Sequence, residues 1–94
     1  GRVTVIDYWA TWCGTCKEIG RRLERLAAIM PRMAVRRVEV PDFDTPVAKE
    51  HLPDHNALPI LWIYGPDGIR VDTIVGGSPD DVVARILAAM HGSQ

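Results

Sequence analysis

Residues 6–17 read Ile6-Asp7-Tyr8-Trp9-Ala10-Thr11-Trp12-Cys13-Gly14-Thr15-Cys16-Lys17, and this stretch decides the fold. Its first part continues an apolar run that begins at Val3, and a run with so little polarity is typical of a strand buried on both faces. From Gly14 to Met30, apolar residues recur at helical spacing. The stretch therefore predicts a central strand that leads into an amphipathic helix, with two cysteines at the junction.

The rest of the chain predicts three more strands and two more helices. The predicted strands are Val3–Tyr8, Ala34–Val40, Ile60–Tyr64 and Ile69–Val75, and the predicted helices are Gly14–Met30, a short helix from Pro46 that Pro53 ends, and a helix from Pro79 to Gly92. The turn at 65–68 contains the Pro and Gly residues of a hairpin, so the last two strands should pair antiparallel. The order β-α-β-α-β-β-α predicts an α/β fold, in which helices cover both faces of a mixed four-stranded sheet.

Length and composition restrict the class of protein. The chain has 94 residues, of which 47% are hydrophobic and 24% charged, and it contains two cysteines. A chain of this length forms a single core, so we expect one domain over residues 1–94. Two cysteines are too few for a disulfide-dense secreted scaffold. No apolar run approaches the roughly 20 residues that a spanning helix needs, so we expect no membrane span in this chain.

Basic residues are concentrated in one part of the sequence. Seven of the 11 lie between positions 17 and 37, namely Lys17, Arg21, Arg22, Arg25, Arg32, Arg36 and Arg37. A nucleic-acid surface normally has an overall basic domain with interleaved aromatic residues, and the net charge here is −1, so we expect no nucleic-acid partner. The pattern favours the solvated outer face of a helix. The face around Arg21, Arg22 and Arg25 could also dock an acidic electron donor.

The two cysteines lie where a helix is predicted to begin. Unpaired backbone N–H groups at a helix start favour thiolate over thiol, so they should lower the pKa of Cys13 and make it a nucleophile. Cys16 follows one turn later on the same face, and it can attack a mixed disulfide formed at Cys13. A static disulfide is the structural alternative, but its loop is so small that it would add little stability. The spacing therefore predicts a redox-active dithiol.

Neighbouring residues suit the same chemistry. Gly14 permits close approach of a partner's backbone, Trp12 supplies an apolar shoulder, and Lys17 adds positive charge near the sulfurs.

The stretch 6–17 resembles the strand-to-helix signature of the thioredoxin superfamily. The resemblance extends to Ala57–Ile63, to the Asp67-Gly68 turn and to Val75–Gly77, and so covers nearly the whole chain. It implies a thioredoxin-like fold that lacks the usual N-terminal strand and helix. It also implies a thiol–disulfide oxidoreductase that reduces protein disulfides or relays electrons. Such a protein needs no cofactor beyond the Cys13–Cys16 disulfide, and we expect a monomer with a protein or membrane-bound electron donor.

The resemblance also assigns roles to single residues. It makes Cys13 the attacking cysteine, Cys16 the resolving one, and Asp7 the buried carboxylate that moves a proton to or from Cys16. Burial in an apolar strand should raise the pKa of Asp7 and so allow proton exchange, although a purely structural, hydrogen-bonded carboxylate is the alternative. Pro59 would be cis and face the cysteines, and Leu58 would pair with an extended substrate chain.

Two residues depart from the family pattern. Thr15 replaces the Pro of cytosolic thioredoxins, so their strongly reducing potential is not carried over. Ile60 stands where the family often has Thr. The run 13–18 also resembles the extracytoplasmic branch, including the C-terminal domain of the transmembrane bacterial disulfide-interchange reductase, which slightly favours a periplasmic over a cytoplasmic location.

Two other classes of protein compete with this interpretation. A zinc site could combine the cysteines with His51 and His55, but 34 residues separate the pairs, against about 12–15 in compact fingers, and Pro53 interrupts the His pair. Covalent haem is disfavoured because Lys17 stands where His is required.

A non-catalytic peptide-binding module could use exposed aromatic side chains. The candidates are Trp9, Trp12, Trp62 and Tyr64. Alternation along the strands predicts that Trp9 and Tyr64 belong to the core and that Trp12 is exposed.

Overall fold

The computed structural model describes residues 1–92 and contains four strands and three helices. The strands are β1 (Val3–Trp9), β2 (Met33–Glu39), β3 (Ile60–Tyr64) and β4 (Arg70–Val75), and the helices are α1 (Gly14–Ile29), α2 (Pro46–His51) and α3 (Pro79–Gly92). Their types and order are those predicted, and their bounds differ from the predicted ones by one residue at most.

The strands form one mixed sheet in the order β2-β1-β3-β4. β1 runs parallel to β2 and antiparallel to β3, and β3 pairs antiparallel with β4. β1 is therefore interior, as its apolar sequence predicts. In this register Asp7 lies opposite Arg37 on one side and Leu61 on the other.

Alternation along β1 divides the core into two clusters. Val3 and Val5 pack with buried residues of α1 and α3 on one face of the sheet. Tyr8 points to the other face, where it packs with Ala48 of α2 and with Leu52. Helices thus cover both faces of the sheet, and Asp7, two positions after Val5, shares the face of α1 and α3.

Side-chain caps begin helices α2 and α3, and a glycine allows the turn between β3 and β4. Thr45 caps α2 by accepting from the N–H of Ala48 at 3.4 Å, and Ser78 caps α3 by accepting from the N–H of Asp81 at 3.2 Å. Gly68 has a φ of +83°, which the tight β3–β4 turn requires. Within residues 1–92, no helix combines the length and apolar character needed to cross a bilayer.

Candidate active site

Cys13 and Cys16 lie where β1 gives way to α1. Cys13 is the N-cap of α1, with extended backbone angles, and its Sγ accepts a hydrogen bond from the backbone N–H of Cys16 at 3.1 Å. The two residues form a disulfide with a Cα–Cα distance of 5.2 Å. Cys13 is 7% exposed whereas Cys16 is fully buried, so Cys13 is the sulfur that a partner reaches first.

The start of α1 stabilises negative charge on the Cys13 sulfur. Helix N-termini present unpaired N–H groups, and one of them already points at Sγ. The first turn of α1 contains no acidic residue, and Lys17 adds an exposed positive charge nearby. Beyond its own turn of helix, a Cβ at Gly14 would meet no atom of residues 1–92 within 4 Å, so the space beside this first turn is open to a partner chain.

Asp7 is the buried charged residue of the site. It has no exposed surface, and its Oδ2 accepts a 2.9 Å hydrogen bond from Nε of Arg37. Its Oδ1 is buried and has no hydrogen-bond partner within residues 1–92. Burial raises the pKa of Asp7, while the hydrogen bond and the charge of Arg37 act in the opposite direction. Burial is the larger effect, so the pKa is raised, as the sequence led us to expect.

Arg37 was missed as a site residue. The interpretation of the basic run as one solvated helix face is wrong for Arg37, because this residue lies in β2 and its guanidinium is 4.6 Å from the ring centre of Trp9. Arg32 and Arg36 also follow α1 and do not belong to its face. The predicted strands Val3–Tyr8 and Ala34–Val40 do not give their relative alignment, so only the observed register establishes the pair of Asp7 and Arg37.

Trp12 is the exposed aromatic residue that the alternation predicts. Its side chain is 53% exposed, and its Nε1 donates a 2.7 Å hydrogen bond to the carbonyl oxygen of Pro41. Its ring centre lies 6.3 Å from that of Phe43. Trp12, the residue before Cys13, therefore contacts the loop between β2 and α2. The sequence did not indicate this contact.

The loop before β3 reaches the same end of the sheet. Ile60 pairs with Tyr8 near the end of β1, which places Pro59 at the end of the sheet where α1 begins. The Leu58–Pro59 peptide bond is cis, and the carbonyl of Pro59 accepts a 2.8 Å hydrogen bond from the N–H of Gly76. The topology thus brings the residues predicted for substrate binding to the cysteine end of the sheet.

The histidines of the zinc alternative have other surroundings. Nδ1 of His51 lies 2.9 Å from the hydroxyl of Tyr8, and its ring stacks on Trp62. In the part of the chain that the structure describes, no three His, Cys, Asp or Glu side chains are grouped as metal ligands.

The aromatic residues deviate from the prediction in one respect. Trp9 and Tyr64 are half-buried rather than part of the core, and Trp62 is half-buried too. The guanidinium groups of Arg37 and Arg70 lie over the rings of Trp9 and Trp62 and cover part of each indole.

Comparison with known proteins gives consistent matches. Residues 1–89 match the family model Thioredoxin. A thioredoxin of Staphylococcus aureus is 36% identical over 86 residues, which cover 90% of this chain and 79% of the relative. The structure of Fasciola hepatica thioredoxin matches with a TM-score of 0.73 and 28% identity, covering 95% of this chain and 82% of that one. Malassezia sympodialis thioredoxin (Mala s 13) matches with a TM-score of 0.69 and 32% identity, covering 94% and 77%.

These matches agree with the geometry of the cysteine pair. Thioredoxins act on protein disulfides through a redox-active disulfide and use no external cofactor, and Cys13 and Cys16 provide that disulfide here. The chain belongs to the thioredoxin family and is a Cys-x-x-Cys thiol–disulfide oxidoreductase.

Proposed function

We propose that the protein reduces protein disulfides, or relays electrons between protein partners, with Cys13 as the attacking and Cys16 as the resolving cysteine. The observation that carries this assignment is the asymmetry of the pair: Cys13 is a partly accessible helix N-cap, whereas Cys16 is buried behind it. A substrate sulfur can meet only the first of them. The second is held one turn away, where it can complete an intramolecular exchange.

The reaction proceeds in two exchanges. The Cys13 thiolate attacks one sulfur of a substrate disulfide, the substrate S–S bond breaks, and the first substrate thiolate leaves and takes a proton from solvent. The Asp7 carboxylate then accepts the proton of the Cys16 thiol, and the Cys16 thiolate attacks Sγ of Cys13. The second substrate thiolate leaves and is protonated. Two electrons have then passed to the substrate, and the enzyme holds the Cys13–Cys16 disulfide.

We assign substrate binding to the surface around Cys13. Leu58, next to Pro59, offers backbone groups that an extended chain could use as an added strand. Trp12 supplies an exposed apolar face, Gly14 has open space beside it, and Thr15 separates the cysteines at an exposed position.

We also propose the oligomeric state and the partners of the protein. The chain acts as one domain and as a monomer, with no cofactor beyond its own disulfide, and it is recharged by a protein or membrane-bound donor. Arg25 supports an acidic docking partner, because it is exposed and makes no ion pair within residues 1–92. Arg21 and Arg22 contribute less charge, since Glu18 neutralises part of it.

Single-cysteine variants test the assignment. Cys13→Ser should abolish reduction of a model protein disulfide, and Cys16→Ser should accumulate a mixed disulfide that mass spectrometry detects. Thr15→Ser is the matched control, because it changes a residue between the cysteines and removes neither thiol. Unaffected turnover in both cysteine variants would refute the proposal.

The direction of electron flow has its own test. The protein is equilibrated with glutathione buffers, and its oxidised fraction is determined by alkylation and mass spectrometry. A potential near or below about −230 mV supports a reductase, whereas a potential above about −150 mV would identify an oxidant.

A further inference from the structure

Gly20 occupies an unusual position in α1. It is buried in the interior of the helix, where glycine is less favourable than alanine. A Cβ at this position would lie 2.8 Å from Cζ and Nη2 of Arg37 and 2.9 Å from Nη1. These three nearest atoms all belong to one guanidinium group. The space that Gly20 leaves empty is therefore filled by the head of Arg37.

The guanidinium is fixed by three neighbours. Gly20 lies against its Nη end, the ring centre of Trp9 is 4.6 Å from Cζ, and Nε donates to Oδ2 of Asp7 at 2.9 Å. In this position, the guanidinium donates one hydrogen bond, from Nε, to one carboxylate oxygen of Asp7. Oδ1 remains buried and without a hydrogen-bond partner within residues 1–92. An arginine free to rotate could instead offer a fork of two N–H groups to both oxygens.

Arg37 is the charge that faces Asp7. On β3, the residue opposite Asp7 is Leu61, which carries no charge. The buried residues of α3 are apolar. The buried residues of α1 are Cys16, Ile19, Gly20 and Leu23, of which Cys16 is the one that can exchange a proton in the reduced protein. The protonation of Asp7 is thus set by its burial, by Arg37 and by the thiol with which it exchanges a proton.

We propose that Gly20 is a positioning residue for the redox reaction, because the space it leaves holds the Arg37 guanidinium on Oδ2 of Asp7 and keeps Oδ1 as the atom that receives the Cys16 proton. This inference rests on the proposed function. In the resolving step the proton leaves Sγ of Cys16 for Oδ1 of Asp7, and the electron pair left on Sγ forms the bond to Sγ of Cys13. The bond between Cys13 and the substrate sulfur breaks at the same time.

Gly20→Ala tests this role with little risk to the fold. The three atoms nearest to the added methyl group all belong to the far end of a flexible side chain, so the helix can form while the guanidinium moves away. Without the hydrogen bond and the charge of Arg37, the Asp7 carboxyl should keep its proton to higher pH. Its titration midpoint, followed by the ¹³C carboxyl shift in the oxidised protein, should rise by about one pH unit.

A double-mutant cycle identifies the route of the effect. Arg37→Gln should raise the Asp7 midpoint by itself, and Gly20→Ala should add no further shift in that background. Arg36→Gln is the matched control: it removes the same charge one position away on β2, opposite Ile6 on the other face, and should leave the midpoint in place. Lysine has a more compact head than arginine, so Gly20→Ala should shift the midpoint less in an Arg37→Lys protein.

The kinetic readout should follow the titration. In a single turnover, the pH at which the resolving step is half-maximal should rise in Gly20→Ala together with the Asp7 midpoint. A midpoint that stays at the wild-type value in folded Gly20→Ala, or an equal shift in the Arg37→Gln background, would overturn the inference. Because the oxidised protein is titrated without turnover, failure of this cycle is distinct from failure of the cysteine variants.

Discussion

Nε of Arg37 donates a 2.9 Å hydrogen bond to Oδ2 of Asp7, and this bond joins a half-buried cation to a carboxylate that has no exposed surface. Two opposing effects meet at this pair. Burial disfavours the charged carboxylate, while the hydrogen bond and the positive charge favour it. Because burial is the larger effect, the folded protein holds the Asp7 proton more tightly than the unfolded chain does.

Asp7→Asn should stabilise the protein at pH 8 and change its stability little at pH 3. The folded pKa of Asp7 lies above the ordinary value of 3.8, so wild-type stability should fall as pH rises from 3.8 through the folded pKa. The gain should be about 1.4 kcal/mol for each unit by which the pKa is raised. Denaturant unfolding of the oxidised protein at both pH values measures it.

Asp54→Asn is the control for this prediction, because Asp54 is an exposed carboxylate with no ion pair in the described chain. It should have no comparable dependence on pH. If Asp7→Asn destabilised the protein at pH 8, the carboxylate would be a structural partner of Arg37 and the proton-transfer assignment would lose its basis.

The sequence predicts those features of the site that depend on neighbours along the chain. A cysteine N-cap and its partner one turn later follow from spacing alone, and the buried strand makes the raised pKa of Asp7 predictable. The bounds of α1 followed from the recurrence of apolar residues and from Pro31. In each case, the signal is a pattern of residues within one segment of the chain.

Contacts between distant segments could not be read in this way. Asp7 lies opposite Arg37 only in the observed register of β1 and β2. A shift of β2 by one residue would move the Arg37 side chain to the other face of the sheet. The hydrogen bond of Trp12 ends on a backbone carbonyl at Pro41, and a backbone acceptor leaves no mark in a sequence. The role of Gly20 depends on its contact with the guanidinium group of Arg37, which the sequence does not show.

Trp12→Phe should weaken binding of protein substrates less than Trp12→Ala does. The phenyl ring keeps most of the apolar face, whereas both variants lose the hydrogen bond from Nε1 to the carbonyl of Pro41. We expect that shared loss to lower the free energy of unfolding by about 0.5–1.5 kcal/mol. Substrate titrations for KM and denaturant unfolding separate the two effects.

A control comes from Trp62→Phe, which removes the indole N–H of a half-buried tryptophan on the opposite face from α1. It should leave KM unchanged. Equal KM values for Trp12→Phe, Trp12→Ala and wild type would show that the exposed indole does not contact the substrate.

Gly76→Ala should destabilise the protein by about 1–2 kcal/mol, because Gly76 has a φ of +76° in the left-handed region. Apart from the neighbouring residues in the chain, no atom of residues 1–92 lies within 4 Å of the added Cβ, so the cost is conformational rather than steric. Gly92→Ala is the matched control, since a Cβ there also meets no atom of the described residues within 4 Å and its φ is not positive. Denaturant midpoints compare the two variants, and equal midpoints would contradict the prediction.

Lys17→Gln should slow reduction of the Cys13–Cys16 disulfide more with mercaptoethanesulfonate, whose attacking thiolate carries a second negative charge on its sulfonate, than with dithiothreitol, whose thiolate carries one. Lys17 is exposed in the first turn of α1, so its charge acts on an approaching reagent through water. A single charge at that range changes the rate about twofold, and the difference should vanish at about 1 M salt. Lys49→Gln removes an exposed charge on α2 and should affect neither reagent. Equal slowing of both reagents by Lys17→Gln would mean that Lys17 acts on the sulfur itself and not on the reagent's charge.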